Sequence, residues 1–182
     1  MDRETITASI EAILLTANGP VAVAALVEAL DANDVGAEQV KNALASMMDA
    51  WDRPDSGIRL EKVADGWRCV TPAGLDTYLR SYHGIAARQR LSQAALEVLA
   101  IVAHRQPVML PEINFIRGAN SASVVRTLLE RKLLRMAGRK KVVGKPFLYR
   151  TSKEFLIHFG LERPEDLPDP EELVKDESIP AE

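Results

Sequence analysis

Leu91-Ser-Gln-Ala-Ala-Leu-Glu-Val-Leu-Ala-Ile-Val-Ala-His-Arg-Gln-Pro107 runs on into Val108-Met-Leu-Pro-Glu-Ile-Asn-Phe-Ile-Arg-Gly118, and the rest of the chain is read from these residues. Ser92 to His104 is almost wholly apolar and predicts a helix. Gln106-Pro107 stops it, because proline has no N–H to give the helix and pushes the residue before it to extended angles. A second, short helix is predicted from Pro111 to Arg117, since proline suits a first helical turn and Gly118 a left-handed C-terminal cap. Ser121 is placed to cap a third helix, in which Val124, Val125, Leu128, Leu129 and Leu133 make one apolar face while Arg126, Glu130 and Arg131 point away. Next come Leu134-Arg-Met-Ala-Gly138, a basic loop and Pro146-Phe-Leu-Tyr-Arg-Thr151, which read as a two-stranded ribbon. Three helices and such a ribbon predict a winged helix.

The N-terminal half follows the same grammar. Ile6, Ile10, Ile13, Leu14 and Ala17 fall at helical spacing, and Asn18-Gly-Pro20 ends that helix with three turn formers. Val21 to Leu30 reads as a short second helix. Residues 37 to 51 read as a third, with Val40, Leu44, Met47, Met48 and Trp51 on one side. Ile58, Leu60 and Val63, then Trp67, Cys69 and Thr71, flank Asp65-Gly66, which is expected to form a two-residue hairpin turn. A last helix is expected from Gly74 to Tyr82, and Pro20 takes the place of Pro107. The predicted fold is mainly α with small β-hairpins (α+β), as two tandem winged-helix domains at 1–84 and 91–163. A linker is expected at 85–90 and an acidic, disordered, mobile tail at 164–182.

Composition agrees with a helix-rich globular protein: 47% of the 182 residues are hydrophobic but only 5% aromatic, so Leu, Val, Ile and Ala must supply the packing. Cys69 is the single cysteine, which excludes an internal disulfide and fits a reducing compartment. The start of the chain lacks a basic stretch leading into an apolar one, and no apolar run has the length of a membrane span, so the expected place is the cytoplasm. The net charge of −3 is unevenly spread. Residues 91–161 carry twelve bases and four acids, and residues 162–182 carry nine acids and two bases. No acid occurs between Arg131 and Lys153.

Catalysis needs convergent acids, bases or metal ligands, and the chain does not offer them. His83, His104 and His158 lie in different elements, and there is no zinc-spaced Cys or His pair, phosphate-cradling glycine loop or nucleophile elbow. His104 is expected to be partly buried and bonded to main chain, and Cys69 to be a small core hydrophobe. No enzyme and no cofactor are expected. The basic run, with Arg131, Lys132, Arg135, Arg139, Lys140, Lys141 and Lys145, suits weak, nonspecific contact with nucleic-acid phosphates. It also suits a charged hairpin that keeps an edge strand from pairing.

Several of these residues also carry a resemblance. Leu91 to Pro107, Glu112-Ile113, Ile116-Arg117-Gly118, Gly138, Gly144-Lys-Pro146, Tyr149, Thr151, Phe155-Leu156, Phe159-Gly-Leu161 and Asp166-Leu-Pro168 resemble, in order and spacing, the bacterial segregation and condensation protein B family. One departure is Met109-Leu110, where that family usually has a threonine and a basic residue; the expected helix cap is thereby lost. The resemblance implies a non-enzymatic accessory subunit of the bacterial condensin, acting in chromosome condensation and segregation and located at the nucleoid. It implies a homodimer formed through the N-terminal domains, whose C-terminal domains hold the kleisin subunit and through it the SMC ATPase. Ile10 and Leu14 are the residues expected on the dimer face. Ile113, Phe115, Phe147 and Tyr149 are expected in the kleisin groove, with Phe115 the informative position and Ile113 and Ile116 also readable as core. Gln106, Pro107, Arg117, Gly118, Gly144, Pro146 and Thr151 are expected to be structural. The alternative is a winged-helix DNA-binding transcription regulator.

Overall fold

The computed structural model describes residues 1–30, 35–84 and 90–169. It is a mixed α+β structure with two compact units, Met1–Arg90 and Leu91–Glu182. Most of the connection expected at 85–90, and the tail beyond Asp169, lie outside the described residues.

In the first unit, α1 (Arg3–Thr16) begins where the Asp2 carboxylate accepts the Thr5 N–H at 2.7 Å. The Thr5 side chain, together with this main-chain bond, holds the Asp2 carboxyl below the usual carboxylate range. Helices α2 (Val23–Leu30) and α3 (Ala37–Trp51) pack on α1 around Leu26, Leu30, Val40, Leu44 and Met47. Ile10 and Leu14, expected on a dimer face, turn inward instead, at 0% and 3% exposure. One stripe of α1, Ile6-Ile10-Leu14, is enough to meet α2 and α3, and Leu15, a further 100° round the helix, is the residue left outside at 72%.

Strands β1 (Arg59–Val63) and β2 (Gly66–Val70) form the hairpin. Its turn is one residue earlier than expected, because Val63 pairs with Gly66 and the two left-handed turn residues are Ala64 and Asp65. Gly66 serves a close approach: a Cβ there would lie 3.0 Å from the Pro20 carbonyl carbon. The approach exists because Val21 and Trp67 exchange two main-chain hydrogen bonds of 2.9 Å, which add a bridge to the open side of β2. Gly66→Ala is therefore expected to cost about 1–3 kcal/mol, as overpacking does. Urea unfolding measures it, and an unchanged midpoint would mean that the Pro20 backbone yields freely. A 3-10 turn, Ala73–Leu75, and α4 (Asp76–His83) complete this unit.

The second unit repeats the order. Helix α5 (Gln93–Arg105) starts at Ser92, whose hydroxyl accepts the Ala95 N–H, and buries Val98, Leu99 and Val102. Then come β3 (Val108–Met109), α6 (Leu110–Arg117), α7 (Ala122–Glu130), β4 (Leu134–Arg139), β5 (Phe147–Thr151) and α8 (Lys153–Phe159). The ribbon gains a strand that was not expected: β3 pairs with β5, giving an antiparallel sheet in the order β3-β5-β4. Val108 is thus the counterpart of Val21.

Three expectations need correcting here. Ser121 does not cap α7 with its side chain; it is fully buried, its hydroxyl donates to the Ala119 carbonyl, and the Ala122 N–H goes to Asn120 Oδ1 at 3.0 Å. His104 is exposed, because the buried stripe of α5 passes through Val102 and Ala103. The acidic segment is structured at its start: Pro164–Asp166 is a 3-10 turn closed by the Arg163 N–H on Asp166 Oδ2 at 2.7 Å.

Candidate partner-binding site

Helix α6 is short, and both of its ends are held by side chains. At its start the Met109 N–H donates to Glu112 Oε2 at 2.8 Å, so Glu112 supplies the restraint that Met109 cannot. This bond, assisted by Lys140 Nζ at 3.4 Å from Oε1, keeps the Glu112 carboxyl below the usual carboxylate range. At its end Gly118 adopts φ +74° and donates to the Asn114 carbonyl at 2.9 Å, while Arg117 Nε meets Glu97 on α5 at 2.9 Å. The Asn114 side chain accepts the Ser121 N–H and so fixes the entry to α7.

With the ends fixed, the helix presents two faces. Ile113 is fully buried toward α5 and belongs to the core, so it cannot be a partner contact. Phe115 is 88% exposed and Ile116 51%. Both line a groove of about 460 Å³ with Arg105, Pro107, Val108, Pro111 and Glu112. The groove therefore lies against the β3 side of α6. Phe147 and Tyr149 do not line it. Tyr149 is half-buried in the middle of the sheet, between Val108 and Met136, and Phe147 lies under the Arg139 guanidinium at 4.0 Å. Ile116, also readable as core, is a wall of the groove. Pro107 and Pro111 were legible only as helix punctuation, although two prolines without N–H donors make an apolar wall.

The remaining motif residues have structural work. Gln106 Oε1 accepts both the Thr151 N–H at 2.8 Å and the Thr151 hydroxyl at 2.9 Å, tying the end of α5 to the end of β5. Gly144 turns the wing loop with φ +84°, and the Pro146 carbonyl accepts the Lys140 N–H at 3.0 Å. Arg131, Lys132, Arg135, Arg139, Lys140, Lys141 and Lys145 are all exposed between α7 and β5. Among the described residues no group of three His, Cys, Asp or Glu side chains could hold a metal ion, and no helix is long and apolar enough to cross a membrane. Cys69 is half-buried against the first unit's core, and burial, with the Glu11 carboxylate, pushes its thiol up.

Residues 8–170 match the family described as Segregation and condensation complex subunit ScpB. The chain belongs to that family. The segregation and condensation protein B of Syntrophotalea carbinolica is 39% identical over 175 residues, covering 96% of this chain and 87% of the relative. A crystal structure of ScpB from Mycobacterium tuberculosis is 35% identical over 88% of this chain and 98% of its own, with a TM-score of 0.42. A crystal structure described as a dimer of ScpB N-terminal domain complexed with ScpA peptide is 19% identical over 43% of this chain and 95% of its own, with a TM-score of 0.40. The family match spans both units, and so includes α6, its groove and the basic ribbon.

Proposed function

We propose that the chain is a non-enzymatic accessory subunit of the bacterial condensin, working in the cytoplasm at the nucleoid as a homodimer that holds the kleisin. Each unit is a winged helix: a helix, a bridging residue or strand, two further helices, a hairpin and a last helix follow one another in the same order in both. Family membership supports the assignment to the complex. The observation that carries the partner reading is the groove on α6, where an almost fully exposed phenylalanine stands between two prolines and an isoleucine, with Arg105 and Glu112 at the rim. An apolar floor with a charged rim is what an amphipathic peptide segment docks into.

Copurification with the kleisin tests this reading. Two copies of this chain per kleisin are expected by native mass spectrometry, because a dimer presents two grooves to one extended partner. A one-to-one complex would remove the shared clamp, and no complex would remove the function. A transcription regulator would have to read bases with α7, yet Arg126 there is closed on Glu130 at 3.0 Å and the Thr127 hydroxyl is spent on the Ser123 carbonyl.

A further inference from the structure

We infer that the outer face of the β4–β5 ribbon is a docking surface for duplex DNA, gripped through its phosphates and separate from the groove on α6. Arg135 and Arg150 are direct partners across the antiparallel pair. Directly opposed residues share one face with Cβ atoms about 4.5–5.5 Å apart, where like charges destabilise the sheet. Both arginines are exposed, and among the described residues neither meets a carboxylate. Leu134 and Thr151, one step along each strand and pointing the opposite way, are buried, so the two guanidinium groups stand on the solvent side.

Protection of a sheet edge explains only part of this. In the order β3-β5-β4 the edge strands are β3 and β4, and cations on β4 discourage pairing with another chain. Arg150 lies on the central strand, whose other side is covered by β3 up to Tyr149 and by Gln106 at the Thr151 N–H, so it has little edge to protect. A phosphate between the two forks offsets their repulsion and suits guanidinium geometry. The surface also extends beyond the pair, with Lys132 at the base of the ribbon and Lys141 and Lys145 at its tip, and no acid between Arg131 and Lys153; Lys140 is turned to Glu112 and is left out of it. At about 3.3 Å per strand residue the cations span roughly 15–20 Å. A DNA duplex presents on the order of ten charges over that length, which an acidic peptide cannot match. Val143, wholly exposed at the tip, puts no like charge in the way of a phosphate backbone.

The test uses the full chain and a labelled duplex of about 30 base pairs, with anisotropy read across a salt series. Binding is expected to fall with a log–log salt slope of about −3 to −4, as for roughly four phosphate contacts. The double variant Arg135→Gln, Arg150→Gln should weaken binding at least about tenfold on two unrelated sequences. It should keep or raise the thermal midpoint, because a repulsive pair is removed, and it should leave kleisin affinity unchanged. Lys141→Gln with Lys145→Gln, which leaves the Lys140–Glu112 pair of the groove intact, should weaken DNA binding in the same way. The inference is overturned by absence of wild-type binding at low salt, by unchanged affinity in both variants, or by polyglutamate competing as well as DNA. None of these outcomes bears on the α6 groove.

Discussion

Phe115→Ser is expected to weaken binding of the kleisin's central segment by about 2 kcal/mol, roughly thirtyfold, without lowering the chain's thermal midpoint. The ring is 88% exposed on α6, so its removal leaves no cavity in the unpartnered protein. Serine and phenylalanine have similar helix propensities, and the helix is held by groups that the substitution does not touch: Glu112 at its start, Gly118 and Arg117 at its end, and Ile113 beneath. In the complex, a phenylalanine between Pro107, Pro111 and Ile116 has the place of an anchor, losing to a partner the water that covers it when free. Isothermal titration calorimetry on wild type and variant decides the matter. Unchanged affinity with an intact thermal transition removes Phe115 from the interface. Ile113→Ala would not serve as the test, since emptying a fully buried site costs about 2–5 kcal/mol of folding and would lower binding whatever the groove does.

Much of the second unit was readable because its signals are local. Proline after Gln106, proline in the first turn of α6 and glycine at Gly118 each act on their own stretch of backbone, and each falls at the end of an observed helix. What depends on a distant partner was not readable. Val108 and Met109 are too few to announce a strand, and they become one only because β5 lies alongside. Gly66 follows an aspartate, the usual sign of a hairpin turn, yet its lack of a side chain is used against Pro20, forty-six positions earlier. The site shows the same division. That Phe115 would escape the core followed from its place between Ile113 and Ile116 on a short helix. Which wall would face it did not, because Phe147 and Tyr149 are as apolar as Pro107 and Pro111, and only the packing of the sheet on α6 separates them.

The orientation of α1 carries the second large expectation. Ile10→Ala should destabilise the folded chain by about 3 kcal/mol, within the usual range for a buried isoleucine emptied to alanine. Ile10 has no exposed surface, and α2 and α3 close over it through Leu26 and Leu44. A residue buried inside its own unit loses this energy at every protein concentration. A residue buried only by a second copy loses it as dimer affinity, and the loss vanishes on dilution into the monomer range. Urea unfolding of wild type and variant at two concentrations, about a hundredfold apart, therefore separates the two cases, and an effect that disappears in the dilute sample would return Ile10 to the dimer face. The companion variant, Leu15→Asp, works in the opposite sense. Leu15 is 72% exposed on the far side of the same helix, so it should leave unfolding of the dilute protein nearly unchanged. If α1 forms the dimer contact with this outer side, sedimentation should show Leu15→Asp as the variant that dissociates, while Ile10→Ala, at concentrations where it stays folded, still associates.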